Sequence, residues 1–388
     1  MRKFILGSFY FVIQIIFIQS CSETPTGNPN TPNNIDSTNI VRNISLVSTY
    51  ADYQVLSSNN GCYIYSPLSI TVWRYDSSGN LKWWKDKSYF GLSAASITFA
   101  QSISDGSIVL RVYYFGSSNL PAKLFCFDTS GTLSFSYNLP EYNGYQNQFY
   151  FVSKQNNELI VVRDSLFQGV NIMRIATSGN ILSNQFVNSS DTISTDKLIE
   201  DADGYLIGSA WGSDNSIIRI NKSGQILWRT TLHRQGINSD STWINGLGFG
   251  PNNTFLVFTG YAVDGDRKTA FSITQSGNIS WTKELPNGWN PLIKSNGGFY
   301  LLSYFNVRNF LSHDFDHILF SYNADGIQQW SKSQFDSTYS FSVSGLSSFY
   351  YSPFCENIDN NVLFLVYNSN KSSYGLIKMD SNGTFLWK

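Results

Sequence analysis

Ile220-Asn-Lys-Ser-Gly224-Gln-Ile-Leu-Trp228 decides how this chain folds, because the same arrangement returns at six other places. It reads as an apolar residue, a short polar residue, two turn residues, a glycine, an apolar residue two further on and an aromatic two beyond that. Tyr75-Asp-Ser-Ser-Gly79-Asn-Leu-Lys-Trp83 and Met379-Asp-Ser-Asn-Gly383-Thr-Phe-Leu-Trp387 are two further copies. The seven glycines are Gly79, Gly131, Gly179, Gly224, Gly277, Gly326 and Gly383, spaced by 52, 48, 45, 53, 49 and 57 residues. Four residues after them stand Trp83, Phe135, Ser183, Trp228, Trp281, Trp330 and Trp387, so the third copy alone lacks an aromatic.

Outward from each glycine the pattern alternates. The residues four and six before it are apolar or aromatic in every copy, as in Tyr75 and Trp73 or Ile220 and Ile218. The residue between them is Arg74, Cys126, Arg174, Arg219, Ser272, Ser321 or Lys378. A period of two marks a strand and is foreign to a helix. After the glycine, Leu81 and Trp83 are two apart, which predicts that they share a strand face. Asp76, Asp128, Asn221, Asn323 and Asp380 precede their glycines by three, where a short side chain can accept a backbone N–H and the glycine can take positive φ in a hairpin. A second turn signal opens each unit, at Asn60-Gly61, Asp105-Gly106, Asn156-Asn157, Asp203-Gly204, Asn252-Asn253, Gly297-Gly298 and Asn360-Asn361. Two turns of this kind per unit delimit four strands, A to D, with the aromatic on the outer strand D.

Units of about 40 to 50 residues with four strands each are the period of propeller blades. The sequence therefore predicts an all-β, seven-bladed β-propeller of four-stranded antiparallel blades, filling residues 41–388 as one domain. Residues 41 to 49 add either a closing strand or part of an eighth unit, so eight blades are the alternative. Trp83, Phe135, Trp228, Trp281, Trp330 and Trp387 are expected to fill the gaps between neighbouring blades.

The N-terminus reads as a targeting segment: Arg2 and Lys3 lead into the apolar run Phe4 to Ile18. Ile18-Gln19-Ser20-Cys21 resembles a bacterial lipobox, which makes residues 1–21 a lipoprotein signal peptide and Cys21 the lipidated residue. Residues 22–40, rich in Pro, Asn and Thr, have the composition of a disordered tether. Ser22 after the cysteine resembles the sorting signal of lipoproteins held in the outer membrane of Gram-negative bacteria, on one side of it or the other. Cys62 and Cys355 fall in the first and last blades, where ring closure would bring them together; a disulfide and a pair of buried thiols are both open there. A net charge of −1 and the lack of any basic run give no footprint for nucleic acid.

The full pattern, an Asn/Asp/Gly turn, an apolar strand and Asp-x-x-Gly-x-x-x-Trp, resembles the quinoprotein-like propeller repeats of secreted and lipid-anchored bacterial proteins, over about residues 50 to 388. The hairpin is similar to the tryptophan-docking motif of the quinoprotein alcohol dehydrogenases. That likeness implies pyrroloquinoline quinone and calcium in enzymes of the superfamily, but the adjacent Cys-Cys pair common in them is missing here, so no cofactor is expected. A second relative by topology, the propeller lipoprotein of the outer-membrane barrel assembly machine, implies a non-catalytic assembly role.

Motifs for catalysis are sparse. His233, His313 and His317 are the three histidines, and no zinc, phosphate-loop or nucleophile-elbow motif occurs. His313-Asp-Phe-Asp-His317 reads as a solvated loop before strand C of the sixth blade, with metal binding through His313 and His317 as the lesser reading; Asp264-Gly-Asp266 is a weaker calcium candidate. Aromatics predicted in the D-to-A and B-to-C connections, which share one end of the ring, are the better candidates. Tyr89, Phe90, Tyr114, Phe115, Tyr142, Tyr145, Phe310 and Tyr339 are among them, with Trp211, Trp243 and Trp289 as candidate ligand-binding residues. The function expected is a binding or scaffold module at the bacterial cell envelope, recognising an envelope protein or a glycan. An assembly-factor lipoprotein and a carbohydrate-active hydrolase are the alternatives.

Overall fold

The computed structural model describes Arg42–Ile44 and residues 53–386, apart from 68, 92–93, 104, 115–121, 140–149, 156–157, 165–168, 177, 189–194, 210–214, 233–241, 262–267, 289–290, 310–313, 333–339, 342–353, 357–358 and 369–372. Seven small antiparallel sheets follow one another along the chain. Blade 1 is β2 (Gln54–Ser58), β3 (Gly61–Ser66), β4 (Thr71–Asp76) and β5 (Leu81–Lys85). Blade 2 is β6 (Ala94–Ser102), β7 (Ile108–Tyr114), β8 (Lys123–Phe127) and β9 (Leu133–Asn138). Blade 3 is β10 (Tyr150–Gln155), β11 (Glu158–Asp164), β12 (Gly169–Ala176) and β13 (Ile181–Asn188), and blade 4 is β14 (Thr195–Glu200), β15 (Gly204–Ser209), β16 (Ser216–Asn221) and β17 (Ile226–Thr231). Blade 5 is β18 (Thr242–Phe249), β19 (Phe255–Tyr261), β20 (Lys268–Ile273) and β21 (Ile279–Leu285). Blade 6 is β22 (Leu292–Ile293), β23 (Phe299–Asn309), β24 (Asp314–Tyr322) and β25 (Gln328–Lys332).

Blade 7 closes the ring with strands from both ends of the chain. Its inner strands β26 (Ser340–Phe341) and β27 (Phe354–Glu356) pair with β28 (Val362–Asn368), which pairs with β29 (Ser373–Met379). Outside β29 lies β1 (Arg42–Ile44), in register Arg42 to Leu376 and Ile44 to Tyr374, while Phe385 bridges to Met379 further down the same edge. Arg42–Ile44 thus completes the seventh blade rather than beginning an eighth.

The alternation in sequence becomes an alternation of interfaces. In β15, Tyr205 and Ile207 pack toward blade 3 while Leu206 between them packs toward blade 5. Both faces of a blade are therefore apolar, and the seven clusters of buried residues each lie between two successive blades. The closing seam between blades 7 and 1 is as well filled as the others: Tyr53, Ile64 and Trp73 meet Leu363, Tyr374 and Leu376. Tyr53 stands edge-on to both Trp73 and Tyr374, at 5.8 and 4.9 Å between ring centroids.

The repeated hairpin is a type I turn followed by a left-handed glycine. In the first copy Gly79 N–H donates to Asp76 O, Asp76 N–H donates to Asn80 O, and Asp76 Oδ1 accepts from the amides of Ser78 and Asn80 at 2.9 Å each. The same side-chain bonds recur at Asp128, Asn221, Asn323 and Asp380. All seven glycines have φ between 70° and 87°, a region in which a Cβ is strained.

One consequence of this turn departs from the spacing rule. The C-to-D register shifts just after each turn, so Tyr75 opposes Leu81 while Arg74 opposes Trp83, and Lys82 is bulged out. The shift recurs in blades 2 to 6. A bulge turns the strand by one residue, so the positions two and four after the glycine face opposite ways. Leu81 packs back into the seam with blade 7, whereas Trp83 packs forward into the seam with blade 2. Leu133 and Phe135 divide in the same way.

The forward-facing indoles dock on the next blade's turn. Trp83, Trp228 and Trp330 donate Nε1–H to the carbonyls of Thr129, Gln275 and Ser381, at 3.0, 2.8 and 2.9 Å. Each acceptor lies two residues before the next glycine, and a Cβ built on Gly131 or Gly277 would stand 2.8 Å from the ring. Trp281 lies against Gly326 in the same manner. In blade 3, where Ser183 replaces the aromatic, Gln185 reaches Gly224 instead. Trp387 lies outside the described residues.

Candidate functional site

Strands that run up and down in succession divide the connections between two ends of the ring. The A-to-B turns and C-to-D hairpins, two to five residues each, form the lower end; the B-to-C and D-to-A connections, four to eleven residues, form the upper end. The upper end varies more from blade to blade in length and composition, which lets it carry different surfaces.

Among the upper-end candidates, Trp211, Trp289, His313, Phe115, Tyr142, Tyr145, Phe310 and Tyr339 lie outside the described residues, as does Cys21. Trp243 stands in inner strand β18, paired with Gly260, and not in a connection. A one-turn helix, α1 (Lys87–Phe90), joins blades 1 and 2, capped by Asp86, which accepts from the Ser88 amide at 3.0 Å. It separates two neighbouring aromatics. Phe90 is buried edge-on against Phe125 and is held by the Tyr114 hydroxyl, which donates to its carbonyl at 3.1 Å. Tyr89 is 42% exposed, with the Lys85 ammonium 4.7 Å from its ring centroid.

The His-Asp-Phe-Asp-His segment is also placed differently from the loop expected. Asp314 to His317 belong to β24, because the B-to-C hairpin of blade 6 extends until Asn309 pairs with Asp314 and Tyr304 with His317. The polar residues hid a continuation of the ladder. Among the described residues no group of three His, Cys, Asp or Glu side chains is placed to hold a metal.

Charge is concentrated at the lower end, five residues before the repeat glycine on strand C. Arg174 pairs with Glu158 at 2.5 Å, Arg219 with Asp201 at 2.6 Å and Lys378 with Asp359 at 3.7 Å. Each carboxylate comes from the same blade's A-to-B turn or its edge. Burial works to raise the Asp201 carboxyl, but the Arg219 guanidinium and the amides of Asp203 and Gly204 hold it below its usual value. The arginines were legible as the polar residue of strand C. Their partners were not, because the three carboxylates occupy different positions in their turns.

Lys294 in blade 6 is the most perturbed cation. Its Nζ donates to Ser321 Oγ at 2.6 Å and Tyr322 O at 3.1 Å, and burial pushes it down to about 8 even though Glu356 acts to hold it up. Burial raises Glu356 in turn, against the Ser295 amide that donates to it at 2.6 Å. A serine beside a lysine of lowered pKa is the chemistry of an activated nucleophile. Ser321, however, is 0% exposed in the middle strand of its sheet, so the pair seals the seam between blades 6 and 7. Cys62 and Cys355 share the closing seam as free thiols, and Cys126 is buried between blades 2 and 3.

No protein-family model matches the chain, and no curated protein matches it in sequence. Solved structures match it in fold. A chain of a mitotic checkpoint complex aligns over 92% of this chain and 97% of its own, at 12% identity and a TM-score of 0.51. The WD40 domain of SCAP from fission yeast aligns over 88% and 98%, at 10% identity and a TM-score of 0.46. A europium-containing methanol dehydrogenase, a quinoprotein, aligns over 81% of this chain and 72% of its own, at 9% identity and a TM-score of 0.44. At these identities the likeness is one of fold: the chain is a seven-bladed β-propeller.

Proposed function

We propose that this propeller is a binding or scaffold module of the bacterial cell envelope, exported and held on the outer membrane by a lipid on Cys21. In this reading its upper end recognises an envelope protein or a glycan. The observation that carries the reading is the asymmetry of the ring: tight, repeated turns at one end and connections of four to eleven residues at the other. A rigid ring with longer and more varied connections on one rim is built to present surface there. A propeller neighbour that is a chain of a mitotic checkpoint complex is consistent with a protein partner. Exposed aromatics such as Tyr89 supply the contact chemistry that such surfaces use.

The test is a pull-down of envelope proteins with the full chain, run beside a glycan array, for the natural protein and for Trp211→Ala, Trp243→Ala and Trp289→Ala. Saturable capture of a protein or glycan, lost in at least one variant that keeps its unfolding midpoint, is the expected result. Retention of a ligand by all three, or saturable binding of none, would sink the assignment to this rim. Metabolic labelling with a fatty-acid analogue tests the anchor: Cys21→Ala should abolish incorporation.

A further inference from the structure

At the end of the ring opposite the upper rim, one arginine carries a charge that is not matched. Arg74 holds the strand-C position that Arg174, Arg219 and Lys378 hold in their blades, and those three face a carboxylate of their own blade. In blade 1 the corresponding turn is Ser58-Asn59-Asn60-Gly61, without a carboxylate. Arg74 is 4% exposed, and among the described residues it has no carboxylate within ion-pair reach. Backbone carbonyls take its other donors: Nη2 donates to Asn59 O at 2.7 Å and Nη1 to Cys62 O at 3.4 Å and to Tyr75 O. Its Nε has no partner. Gly61 is required there, because a Cβ would collide with the Tyr75 backbone carbonyl and with the guanidinium beyond it. Its guanidinium carbon also lies 5.2 Å from the centroid of the Tyr63 ring, but a buried cation met by carbonyls and a ring face still lacks a full counter-charge.

A cavity of about 580 Å³ opens beside it, between blades 1 and 2. Asn59, Asn60, Arg74, Lys82, Trp83 and Thr129 line it. Its two carboxylates already have partners: Asp76 pairs at 3.0 Å with Lys82 of the same lining and holds its own turn, and Asp105, which is exposed, accepts from the Ser107 amide at 3.0 Å. The volume falls within the roughly 300–1,000 Å³ usual for small-molecule sites. The lining combines a cation lacking a carboxylate, amides and a hydroxyl for polar groups, and the open part of an indole for a ring face.

We propose that this cavity binds a sugar acid, a hexuronate or a short oligosaccharide bearing one, whose carboxylate supplies the counter-charge that the turn of blade 1 lacks. The hydroxyls would meet Asn59, Asn60 and Thr129, and the ring would lie along Trp83. No bond is made or broken.

Isothermal titration of the full chain with sodium glucuronate, with glucose and acetate in parallel, tests the assignment. Glucuronate should bind saturably, and glucose and acetate each at least about tenfold more weakly, since either lacks one half of the recognised chemistry. Asn59→Asp, which supplies a carboxylate at the turn position that Asp359 holds in blade 7, should lower glucuronate affinity at least about tenfold while keeping or raising the unfolding midpoint. Lys82→Ala, at an exposed side chain, should weaken it about threefold. No saturable glucuronate binding, or equal binding by Asn59→Asp with its fold intact, would overturn the proposal; equal affinity for acetate would overturn the sugar assignment. Neither result bears on the upper rim, whose test reads different variants.

Discussion

Trp228 shows how much one residue does in this ring. Its indole is half-buried, stands over Gly277 and donates to Gln275 O at 2.8 Å. Trp228→Ala should cost about 2 to 3 kcal/mol in urea unfolding, below the 3 to 5 kcal/mol of a fully enclosed aromatic. Gly131 is the other half of such a contact, with φ 85° and the Trp83 ring where a Cβ would go. Gly131→Ala should cost about 2 to 4 kcal/mol, from backbone strain and the displaced ring together. A loss below 1 kcal/mol in either variant would mean that docking is incidental. Lys294 gives a pH-dependent prediction. Its folded pKa, about 8, lies below the usual 10.5, so below pH 8 both states hold the proton and folding bears the cost of burying the charge. Between pH 8 and 10.5 the unfolded chain holds more protons than the native one, and stability rises with pH. Relative to Lys294→Met, the natural protein should therefore gain up to roughly 3 kcal/mol across that window, measured by urea unfolding at pH 7.5, 9 and 10.5. A flat difference would place the ammonium in solvent.

At the scale of the element, strands and hairpins were legible because two local signals agree. A period of two sets the faces, and an Asp or Asn three before a glycine sets the turn. What could not be read was the direction of the outer strand. Leu81 and Trp83 are two apart and look like neighbours on one face, yet the bulge at Lys82 sends them to different seams. Register is a property of the pairing, which no single strand contains. Likewise Asp314 to His317 look like a loop in composition and form a strand because β23 runs on to meet them. The short β1 was one of two readings of residues 41 to 49, and its pairing with Leu376 and Tyr374 decides between them. Deleting residues 42–44 should leave the β29 edge unpaired and lower the thermal midpoint by several degrees, about what 1 to 2 kcal/mol produces. An unchanged midpoint would show that the C-terminal residues close the blade alone.

For the molecule as a whole, architecture could be read from the repeat, whereas its sites could not. Blade count follows from seven glycines. The cavity at Arg74 follows from which turn lacks a carboxylate and which neighbouring hairpin lies across from it, relations that need the assembled ring. The three described cysteines are buried in two separate seams, and burial pushes Cys62 up to about 12 and also raises Cys355 well above the usual thiol value. All three thiols should be silent to Ellman's reagent in the native state and react together at the urea midpoint. Early reaction of Cys62 and Cys355 ahead of Cys126 would reveal a seam that opens before the rest unfolds.

Because β1 lies outside β29, the earliest of the described strands cannot find its place until almost the last of them has been made. Synthesis therefore runs with one hand held out. Six blades can assemble while Arg42–Ile44 waits, but Tyr53 and Trp73 stay open to solvent until Tyr374 arrives. The join acts as a check on completeness: a chain cut short before the seventh blade keeps two apolar flanks exposed, the state that quality-control proteases recognise.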